Sequence, residues 1–421
     1  MEEVGLSIVN NEKSIFSYND IKYTEDQIGA LNLVANTISK HSGSKELIIS
    51  GFAGTGKTTI LYNMFMYAKY INKFKDIYVL APTNKAIVVL KSKLAIKETY
   101  FSTLHSILYG SPDEEGKWIP SKEIYNACLF IDEASMISAD VLRDIRKSFK
   151  TCLIIFLGDG YQLEPVGVDP KILKNPDFLL QEVMRNAGDI LNYSIEIRNA
   201  KKIVQPVNFP SISVNGFDNI IQPYIEKVRK KEDVIILVAD NNTRIKVNTR
   251  VRTQLFPTNV INVDERLIAL NTSPFFANGE TFNVEDVSIY IQEIVEFVDY
   301  SQNKTEELII VCKLNNQTML LLPNVKSPSF HSKQFSYIDY DVLEKLVGVD
   351  NIIFDESGRY HSLNNNIVIC TYAYAISVHK SQGSQWEEVF VNVPSYKPKW
   401  EEGRWFYTAI TRASKKLTIV I

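Results

Sequence analysis

Short apolar runs alternate with helical stretches between residue 24 and about residue 170. The apolar runs are ELIIS (46–50), IYVLAPT (77–83), ACLFIDE (127–133) and CLIIFLGD (152–159). Continuous apolar runs of this length predict parallel strands that are buried on both faces. Because these strands alternate with helices, the pattern predicts a doubly wound α/β domain over residues 21–178, after an N-terminal extension at 1–20.

A second set of apolar runs predicts a second α/β domain. Its strands are VIILVAD (234–240), NIVICTYAYAI (366–376) and the closing LTIVI (417–421). Between them, residues 265–365 contain short strand-rich runs that polar turns separate, which favours an inserted β domain. We therefore assign the second α/β domain to residues 179–264 and 366–421.

A smaller insertion is predicted near residues 109–126, where YGSPDEEGKWIPSKEIYN combines proline, glycine and the lone Trp118. This composition favours a β-hairpin that projects from the first domain, and an ordinary surface loop is the alternative.

Composition narrows the functional classes. The chain has 421 residues, 45% of them hydrophobic and 23% charged, with a net charge of −3. A protein that binds nucleic acid over its whole surface is usually basic, so any such binding must use a local groove. The four cysteines form no CxxC pair and favour small core residues over a zinc site or disulfides. The acidic N-terminus and the lack of an 18-residue apolar run favour a cytoplasmic protein without a membrane span.

The stretch GFAGTGKT (51–58) matches the phosphate-binding pattern G-x-x-x-x-G-K-[ST] and lies between a predicted strand and a predicted helix. Glycines allow backbone N–H groups to converge on phosphate oxygens, and the following helix adds its positive end. We expect Lys57 to reach the β- and γ-phosphates, Thr58 to bind Mg²⁺ and Thr59 to approach the α-phosphate. The backbone around them would come from Gly54, Thr55 and Gly56.

Two further strand ends supply the remaining chemistry. In LFIDEAS (129–135), Asp132 is placed to hold Mg²⁺, and Glu133 to take a proton from the attacking water. In LGDGYQLEPVG (157–167), the amide of Gln162 suits a group that reports whether the γ-phosphate is present. Upstream, Gln27 has the amide needed to recognise an adenine edge, although a surface glutamine is the alternative.

The chain contains one phosphate-binding motif, so the second α/β domain is predicted to be a nucleotide-free partner. Phosphoryl transfer develops charge that an arginine from a neighbouring domain can stabilise. The candidates are Arg185 in LLQEVMRN (179–186) and Arg412 in FYTAITRA (406–413). A surface arginine that caps a helix is the alternative for Arg412.

The series GFAGTGKT, APTNKA, TLHS, IDEAS, GDGYQLEPVG, LQEVMRN, VHKSQGSQW and YTAITRA resembles superfamily 1 DNA helicases. Within them it is most similar to the RecD-like and Dda-like branch, which moves 5′→3′. The resemblance extends from residue 23 to residue 413. It implies an α/β fold of two RecA-like P-loop NTPase-type domains, with a β-hairpin inserted in the first and an SH3-like β domain in the second.

The same resemblance implies the DNA-binding residues. They come from APTNKA, TLHS and VHKSQG: Pro82, Thr83, Lys85, Thr103, His105, His379, Lys380 and Ser381. It also implies that Gln382 and Gly383 link the DNA track to the nucleotide. Hydroxyl, amide and lysine groups contact phosphates without reading bases, so sequence preference is expected to be weak. Read alone, His379 is also compatible with a satisfied buried histidine.

These features predict a magnesium- and ATP-dependent DNA helicase that acts as a monomer on single-stranded DNA and duplex junctions. Single-strand-binding, replication and repair proteins are candidate partners. A single-strand translocase that displaces proteins with little unwinding is one alternative. A second alternative is a nucleic-acid-binding scaffold with an ATP switch. A P-loop small-molecule kinase is the weakest alternative, because HKSQG and the second domain would have no role in such an enzyme.

Overall fold

The computed structural model describes residues 23–421, with gaps. The gaps are 110–119, 121–122, 166, 184–187, 259–260, 272–275, 277, 299–303, 316, 324–343, 345–347, 349–351, 355–359, 364–366 and 395–401. The chain divides into two compact units, Met1–Gln205 with Trp400–Thr411, and Pro206–Lys399 with Arg412–Ile421. The predicted N-terminal extension and Trp118 lie outside the described residues.

The first unit contains seven helices and eight strands in its described part. The helices are α1 (Glu25–Ser39), α2 (Lys57–Ile71), α3 (Asn84–Lys93), α4 (Leu104–Tyr109), α5 (Ala139–Ser148), α6 (Asp189–Ala200) and, from the end of the chain, α10 (Glu402–Ile410). The strands are β1 (Lys45–Gly51), β2 (Asp76–Ala81), β3 (Phe101–Thr103), β4 (Ile124–Tyr125), β5 (Ala127–Ile131), β6 (Phe149–Lys150), β7 (Leu153–Gly158) and β8 (Phe178–Leu180).

Six of these strands form one parallel sheet in the order β3-β2-β5-β7-β1-β8. Its central strands β5 and β7 are buried at every position, as their continuous apolar sequences predict. Local sequence also explains where helices begin: Thr24 accepts from the backbone of Gln27 in a capping box, and Thr83 and Ser138 cap α3 and α5. The predicted first α/β domain is therefore present as a parallel sheet with helices.

Strand β8 extends this sheet beyond the predicted domain end at residue 178. It pairs with β1, and the backbone N–H of Ile48 donates to the Asp177 carboxylate at 2.8 Å. The first unit accordingly runs to Gln205, whereas the sequence prediction began the second domain at residue 179. Strand β4 pairs in parallel with β6, and most of the hairpin predicted near residues 109–126 lies outside the described residues.

The described part of the second unit contains three helices and thirteen strands. The helices are α7 (Phe217–Arg229), α8 (Asn241–Leu255) and α9 (Val378–Ser381). The strands are β9 (Ile212–Asn215), β10 (Val234–Val238), β11 (Arg266–Ala269), β12 (Thr281–Asn283), β13 (Val287–Val298), β14 (Lys304–Leu314), β15 (Gln317–Leu321), β16 (Ile352–Phe354), β17 (Tyr360–Leu363), β18 (Val368–Tyr372), β19 (Ala375–Ser377), β20 (Trp386–Asn392) and β21 (Ala413–Val420).

These strands form a five-stranded parallel sheet, a six-stranded mixed sheet and a small antiparallel pair. The parallel sheet has the order β19-β10-β20-β21-β9, and the mixed sheet has the order β12-β11-β18-β15-β14-β13. The second parallel sheet agrees with the predicted second α/β domain. The SH3-like character of the 265–365 insertion stays a prediction.

The run NIVICTYAYAI, predicted as one strand, is divided between the two large sheets. Strand β18 belongs to the mixed sheet and β19 to the parallel sheet. The buried amide of Asn248 stabilises the break, since it donates to the carbonyls of Tyr372 and Ala375 and accepts from the Ala375 N–H. Backbone groups that leave a ladder inside a core need such partners.

The structure also tests the sequence predictions for the cysteines and for membrane-spanning helices. All four cysteines are buried, which confirms their prediction as core residues. Across the described ranges, no helix has both the length and the apolar character that crossing a membrane requires.

Candidate active site

Three neighbouring strands of the first sheet bring the predicted nucleotide residues to one edge. Strand β1 pairs with β7 through Ser50 and Gly158, and β7 pairs with β5 through Phe156 and Ile131. Because all three strands are parallel, their carboxyl ends meet at the same edge of the sheet. The loops that follow them carry the phosphate-binding motif, the Asp-Glu pair and the glutamine motif.

The loop after β1 has the backbone that phosphate binding requires. Gly54 and Gly56 both have φ of +77°, in the left-handed region that favours glycine. A Cβ added to Gly56 would stand 2.3 Å from Nε2 of Gln27, so space as well as dihedral angle requires glycine there. Helix α2 then begins at Lys57 without a side-chain cap at Gly56, which leaves its positive end open to an anion.

Lys57 is oriented by the loop itself. Its Nζ donates to the carbonyl oxygens of Gly51 at 2.7 Å and Phe52 at 2.9 Å. An ammonium has three donor positions, and these two carbonyls use two of them. Thr58 and Thr59 follow in the first turn of α2, while the buried Thr55 hydroxyl donates to Phe52.

Gln27 lies against this loop and is 1% exposed. Its Nε2 donates to the Thr55 carbonyl at 2.9 Å, and its Oε1 accepts from the Thr24 N–H at 3.1 Å. The glutamine therefore supports the phosphate-binding loop directly, a role the sequence did not reveal. Its predicted role in recognising adenine stays a prediction.

Asp132 and Glu133 follow β5 at the centre of the edge. Asp132 is 9% exposed, and burial, followed by the nearby Glu133 charge, raises its pKa to about 6. One of its oxygens accepts from the Glu133 N–H at 2.9 Å. Glu133 has φ of +53°, which is strained for a residue with a side chain, and such strain concentrates at functional positions.

Gln162 follows β7 and is 5% exposed. Its backbone N–H donates to the Asp159 carbonyl, and its side-chain Oε1 has no hydrogen-bond partner among the described residues. A buried polar atom without a partner is costly. It is therefore a candidate contact for a ligand at this edge, in keeping with the predicted sensor role.

Sequence reasoning did not identify two further residues at this edge. Tyr407, from α10, is 1% exposed; its hydroxyl accepts from the Ala53 N–H at 2.9 Å and donates to Oδ2 of Asp159 at 2.8 Å. Burial, together with the Asp159 charge, raises the pKa of Tyr407 well above its ordinary value. Asp159 could have been identified from the sequence, because it follows an apolar run as Asp132 does. The sequence around Tyr407 does not distinguish it from its mostly apolar neighbours.

Arg412 lies in the second unit, immediately before β21. It is 6% exposed, and its Nη1 donates to the Ser384 carbonyl at 3.3 Å. The predicted alternative of an exposed capping arginine is therefore wrong. Nearby, Gly383 has φ of +74°. Arg185, the other candidate arginine, lies outside the described residues.

The predicted DNA-binding residues of the first unit lie at adjacent strand ends. Strand β2 pairs with β3 so that Ala81 stands opposite Thr103, which brings APTNKA and TLHS together at the edge that carries the nucleotide motifs. The Thr83 hydroxyl accepts from the Ala86 N–H, and the Thr103 hydroxyl contacts Ser106. Pro82 precedes α3 and Lys85 lies in its first turn, and the ring of His105 in α4 makes a tilted contact with that of Tyr109, with centroids 5.3 Å apart.

The predicted DNA-binding residues of the second unit are in and around α9. His379 is exposed, and Lys380 donates to the side chain of Asn278 at 2.9 Å. Ser381 is fully buried, and its hydroxyl donates to the Val378 carbonyl at 2.7 Å. A strand contact by His379 or Lys380 agrees with this arrangement, whereas a contact by Ser381 requires a rearrangement. All three assignments stay predictions.

The first unit's edge fits a magnesium–nucleotide complex. The glycine cradle and Lys57 suit phosphates, and a divalent cation would offset the cost of burying the Asp132 carboxylate. The described residues contain no cluster of three or more histidine, cysteine, aspartate or glutamate side chains that would hold a metal by themselves. Magnesium does not require one, because it is commonly bound by one or two protein groups together with substrate phosphates.

Comparisons with known proteins agree with this class of site. A family model described as an AAA domain matches residues 35–168, and a UvrD-like helicase C-terminal domain model matches residues 372–420. A protein of Methanocaldococcus jannaschii is 24% identical over 99% of this chain, and the chain spans 40% of that protein's length. RecBCD enzyme subunit RecD of Buchnera aphidicola subsp. Schizaphis graminum is 24% identical over 94% of this chain and 75% of its own length.

The structure also resembles the Pif1 helicase from Bacteroides, solved in complex with ADP-AlF3 and single-stranded DNA. The TM-score is 0.50 at 16% identity, covering 95% of this chain and 92% of that chain. At this identity the likeness concerns the fold alone.

Fold and site define the class as a P-loop nucleotide-binding protein with two RecA-like parallel sheets. The family models, the RecD relative and the Pif1 fold together support a superfamily 1 RecD/Pif1-like helicase.

Proposed function

We propose that this chain is an ATP-dependent DNA helicase that moves 5′→3′ along single-stranded DNA and unwinds duplex. The observation that carries the proposal is the common edge of the first sheet. The phosphate-binding loop, Asp132, Glu133 and Gln162 follow three of its strands, and the APTNKA and TLHS segments follow the next two. A change at the nucleotide can therefore be passed to bound DNA through a single sheet edge.

The nucleotide chemistry divides among residues of the first unit. Lys57 and the backbone of Gly54–Thr59 would hold the phosphates, while Thr58 and Asp132 would hold Mg²⁺, which would supply positive charge beside the phosphates. Glu133 accepts a proton from the attacking water, and the amide of Gln162 contacts the terminal phosphate.

The second unit supplies an arginine and part of the DNA track. Arg412 stabilises the charge that develops during phosphoryl transfer. The other candidate arginine, Arg185, falls within the residue range of the first unit. His379, Lys380 and Ser381 hold the DNA backbone, together with the residues in APTNKA and TLHS. Gly383 lies between Ser381 and Ser384, whose carbonyl holds Arg412, so this turn is suited to link DNA and nucleotide.

The 5′→3′ direction rests on the resemblance of the motif series to the RecD-like and Dda-like branch, and helicase activity is supported by the UvrD-like helicase C-terminal domain model and the RecD relative. Candidate partners in the cell are single-strand-binding, replication and repair proteins, and we propose that the acting form is a monomer.

The first test is steady-state ATP turnover with and without a single-stranded oligonucleotide. We expect Mg²⁺-dependent turnover that rises steeply with DNA, because the DNA and nucleotide residues share one sheet edge. Lys69→Ala, an exposed lysine on the same helix as Lys57, is a control that should behave like the wild type. Equal rates with and without DNA would argue against the helicase and for a scaffold with an ATP switch.

A further inference from the structure

A buried tyrosine hydroxyl joins two loops of the candidate active site. Tyr407 accepts a hydrogen bond from the Ala53 N–H in the phosphate-binding loop and donates one to Asp159 at the end of β7. The two partners are 354 and 248 residues away in sequence. The hydroxyl is thus hydrogen-bonded to both loops at once.

Asp159 depends on this hydroxyl. The carboxylate is 0% exposed; its Oδ1 accepts from the Tyr161 N–H at 2.9 Å, and its Oδ2 accepts from Tyr407. The rings of Tyr161 and Tyr407 meet edge to face with centroids 5.1 Å apart. A buried carboxylate oxygen that loses its donor is strongly disfavoured, so the position of Tyr407 and the conformation of the 159–162 loop are tied together.

Helix α10 reaches the same loop at a second point. The Thr408 hydroxyl accepts from the Leu163 N–H at 3.0 Å, directly after Gln162. At the end of the helix, Thr411 donates to the Tyr407 carbonyl through its N–H at 3.1 Å and its hydroxyl at 2.8 Å. The turn from Tyr407 to Thr411 is therefore held by hydrogen bonds, and helix α10 is fixed to the 159–163 segment at both Tyr407 and Thr408.

We propose that Tyr407 is a positioning residue that holds the phosphate-binding loop and the Gln162 loop in register with each other. The inference rests on the proposed function, since it deepens the account of ATP turnover. Phenylalanine would fill the same space and make the same ring contact with Tyr161, so packing does not require the hydroxyl. The hydroxyl is needed because it holds an N–H of the phosphate-binding loop and a carboxylate of the sensor loop at once.

The test compares Tyr407→Phe with a matched control, Tyr193→Phe. Tyr193 is another fully buried tyrosine of the first unit, and its hydroxyl donates to the Val204 carbonyl rather than to the phosphate-binding loop or Asp159. Tyr407→Phe loses two hydrogen bonds and Tyr193→Phe loses one, so both melting temperatures should fall, that of Tyr407→Phe somewhat more. Only Tyr407→Phe should lower kcat for DNA-stimulated ATP turnover, by about tenfold, with a smaller change in KM.

Amide hydrogen exchange tests the link without turnover. In the nucleotide-free protein, peptides that cover residues 51–56 should exchange faster in Tyr407→Phe than in the wild type, and at the wild-type rate in Tyr193→Phe. Unchanged exchange in Tyr407→Phe, or a kcat equal to that of Tyr193→Phe, would overturn the proposal. A wild-type protein without DNA-stimulated turnover would contradict the proposed function instead. The exchange rates would still show whether the Tyr407 hydroxyl holds the phosphate-binding loop.

Asp159→Asn provides a second variant in case Tyr407→Phe fails to fold. It keeps an oxygen for the Tyr161 N–H and removes the acceptor of the Tyr407 hydroxyl. The same selective fall in kcat is expected, and in the double variant the two losses should not add, because both remove one link. A fully additive double variant, or wild-type kcat in Asp159→Asn, would refute the coupling.

Discussion

The two parallel sheets use the same strand-to-helix turn for opposite purposes. After β1 of the first unit, the turn contains two left-handed glycines, and α2 begins without a side-chain cap. After β10 of the second unit, Asp240 caps the N-terminus of α8. Its carboxylate accepts hydrogen bonds from the Thr243 N–H at 2.9 Å and from the Thr243 hydroxyl at 2.7 Å. A helix start that is open attracts phosphate, and one that already holds a carboxylate repels it.

Electrostatics reinforce this difference. Partial burial acts to raise the pKa of Asp240, but the hydrogen bonds from Thr243 and Asn242 and the charge of Lys246 together outweigh it, so the pKa lies below its ordinary value. Similar architecture therefore does not imply similar chemistry. A few residues at the carboxyl ends of the strands decide whether a RecA-like sheet is suited to bind a nucleotide.

The largest effect is expected from Lys57→Ala, which removes the cation from the open turn. ATP turnover should fall below detection and nucleotide binding should weaken, because the substitution removes the ammonium that the carbonyls of Gly51 and Phe52 orient. Turnover assays and equilibrium binding of a fluorescent nucleotide would measure both. Near-normal turnover would show that the glycine turn is structural and would remove the contrast between the sheets.

Arg412→Ala tests whether the second unit contributes a residue to ATP hydrolysis, even though Asp240 closes the turn after its strand β10 to phosphate. We expect kcat to fall by about 10³–10⁵-fold while DNA binding and most ATP affinity remain. Arg412→Lys should restore little, because an ammonium lacks the forked geometry of guanidinium. Arg250→Ala, an exposed arginine of the same unit, is the control. An unchanged kcat with a lower melting temperature would leave Arg412 with a structural role at Ser384.

Glu133→Gln should separate binding from hydrolysis at the first sheet. Removing the general base should lower kcat by about 10²–10⁴-fold, while nucleotide and DNA binding persist. Glu98→Gln, at an exposed position of the same unit, should leave kcat unchanged. If Glu133→Gln turned over ATP at the normal rate, another group would have to be the base.

The smallest effect is expected from Asp240→Ala, which removes the side-chain cap of α8 in the second unit. Loss of the helix cap should lower the free energy of unfolding by about 1 kcal/mol, measured by denaturant titration, and leave ATP turnover intact. A large loss of turnover with little loss of stability would mean that the turn before α8 has a functional role after all.

The sequence predicted those parts of the site that short segments define. The phosphate-binding turn and the Asp132–Glu133 pair each depend on a few consecutive residues, and the structure brings both to one edge. The Tyr407 link was not predictable, because its partners are hundreds of residues away and its neighbours in FYTAI are mostly apolar. The division of NIVICTYAYAI between two sheets depends on the distant amide of Asn248, which no local pattern indicates.

Strand separation on tailed duplexes tests the central claim most directly. Duplexes with a 5′ tail, a 3′ tail or no tail would be incubated with ATP and the wild-type protein, with Glu133→Gln as the hydrolysis-deficient control. The account predicts that only the 5′-tailed duplex is unwound, and only when the wild-type protein can hydrolyse ATP. Separation of the 3′-tailed duplex alone would contradict the proposed direction, and DNA-stimulated ATP turnover without any separation would contradict unwinding and favour a single-strand translocase.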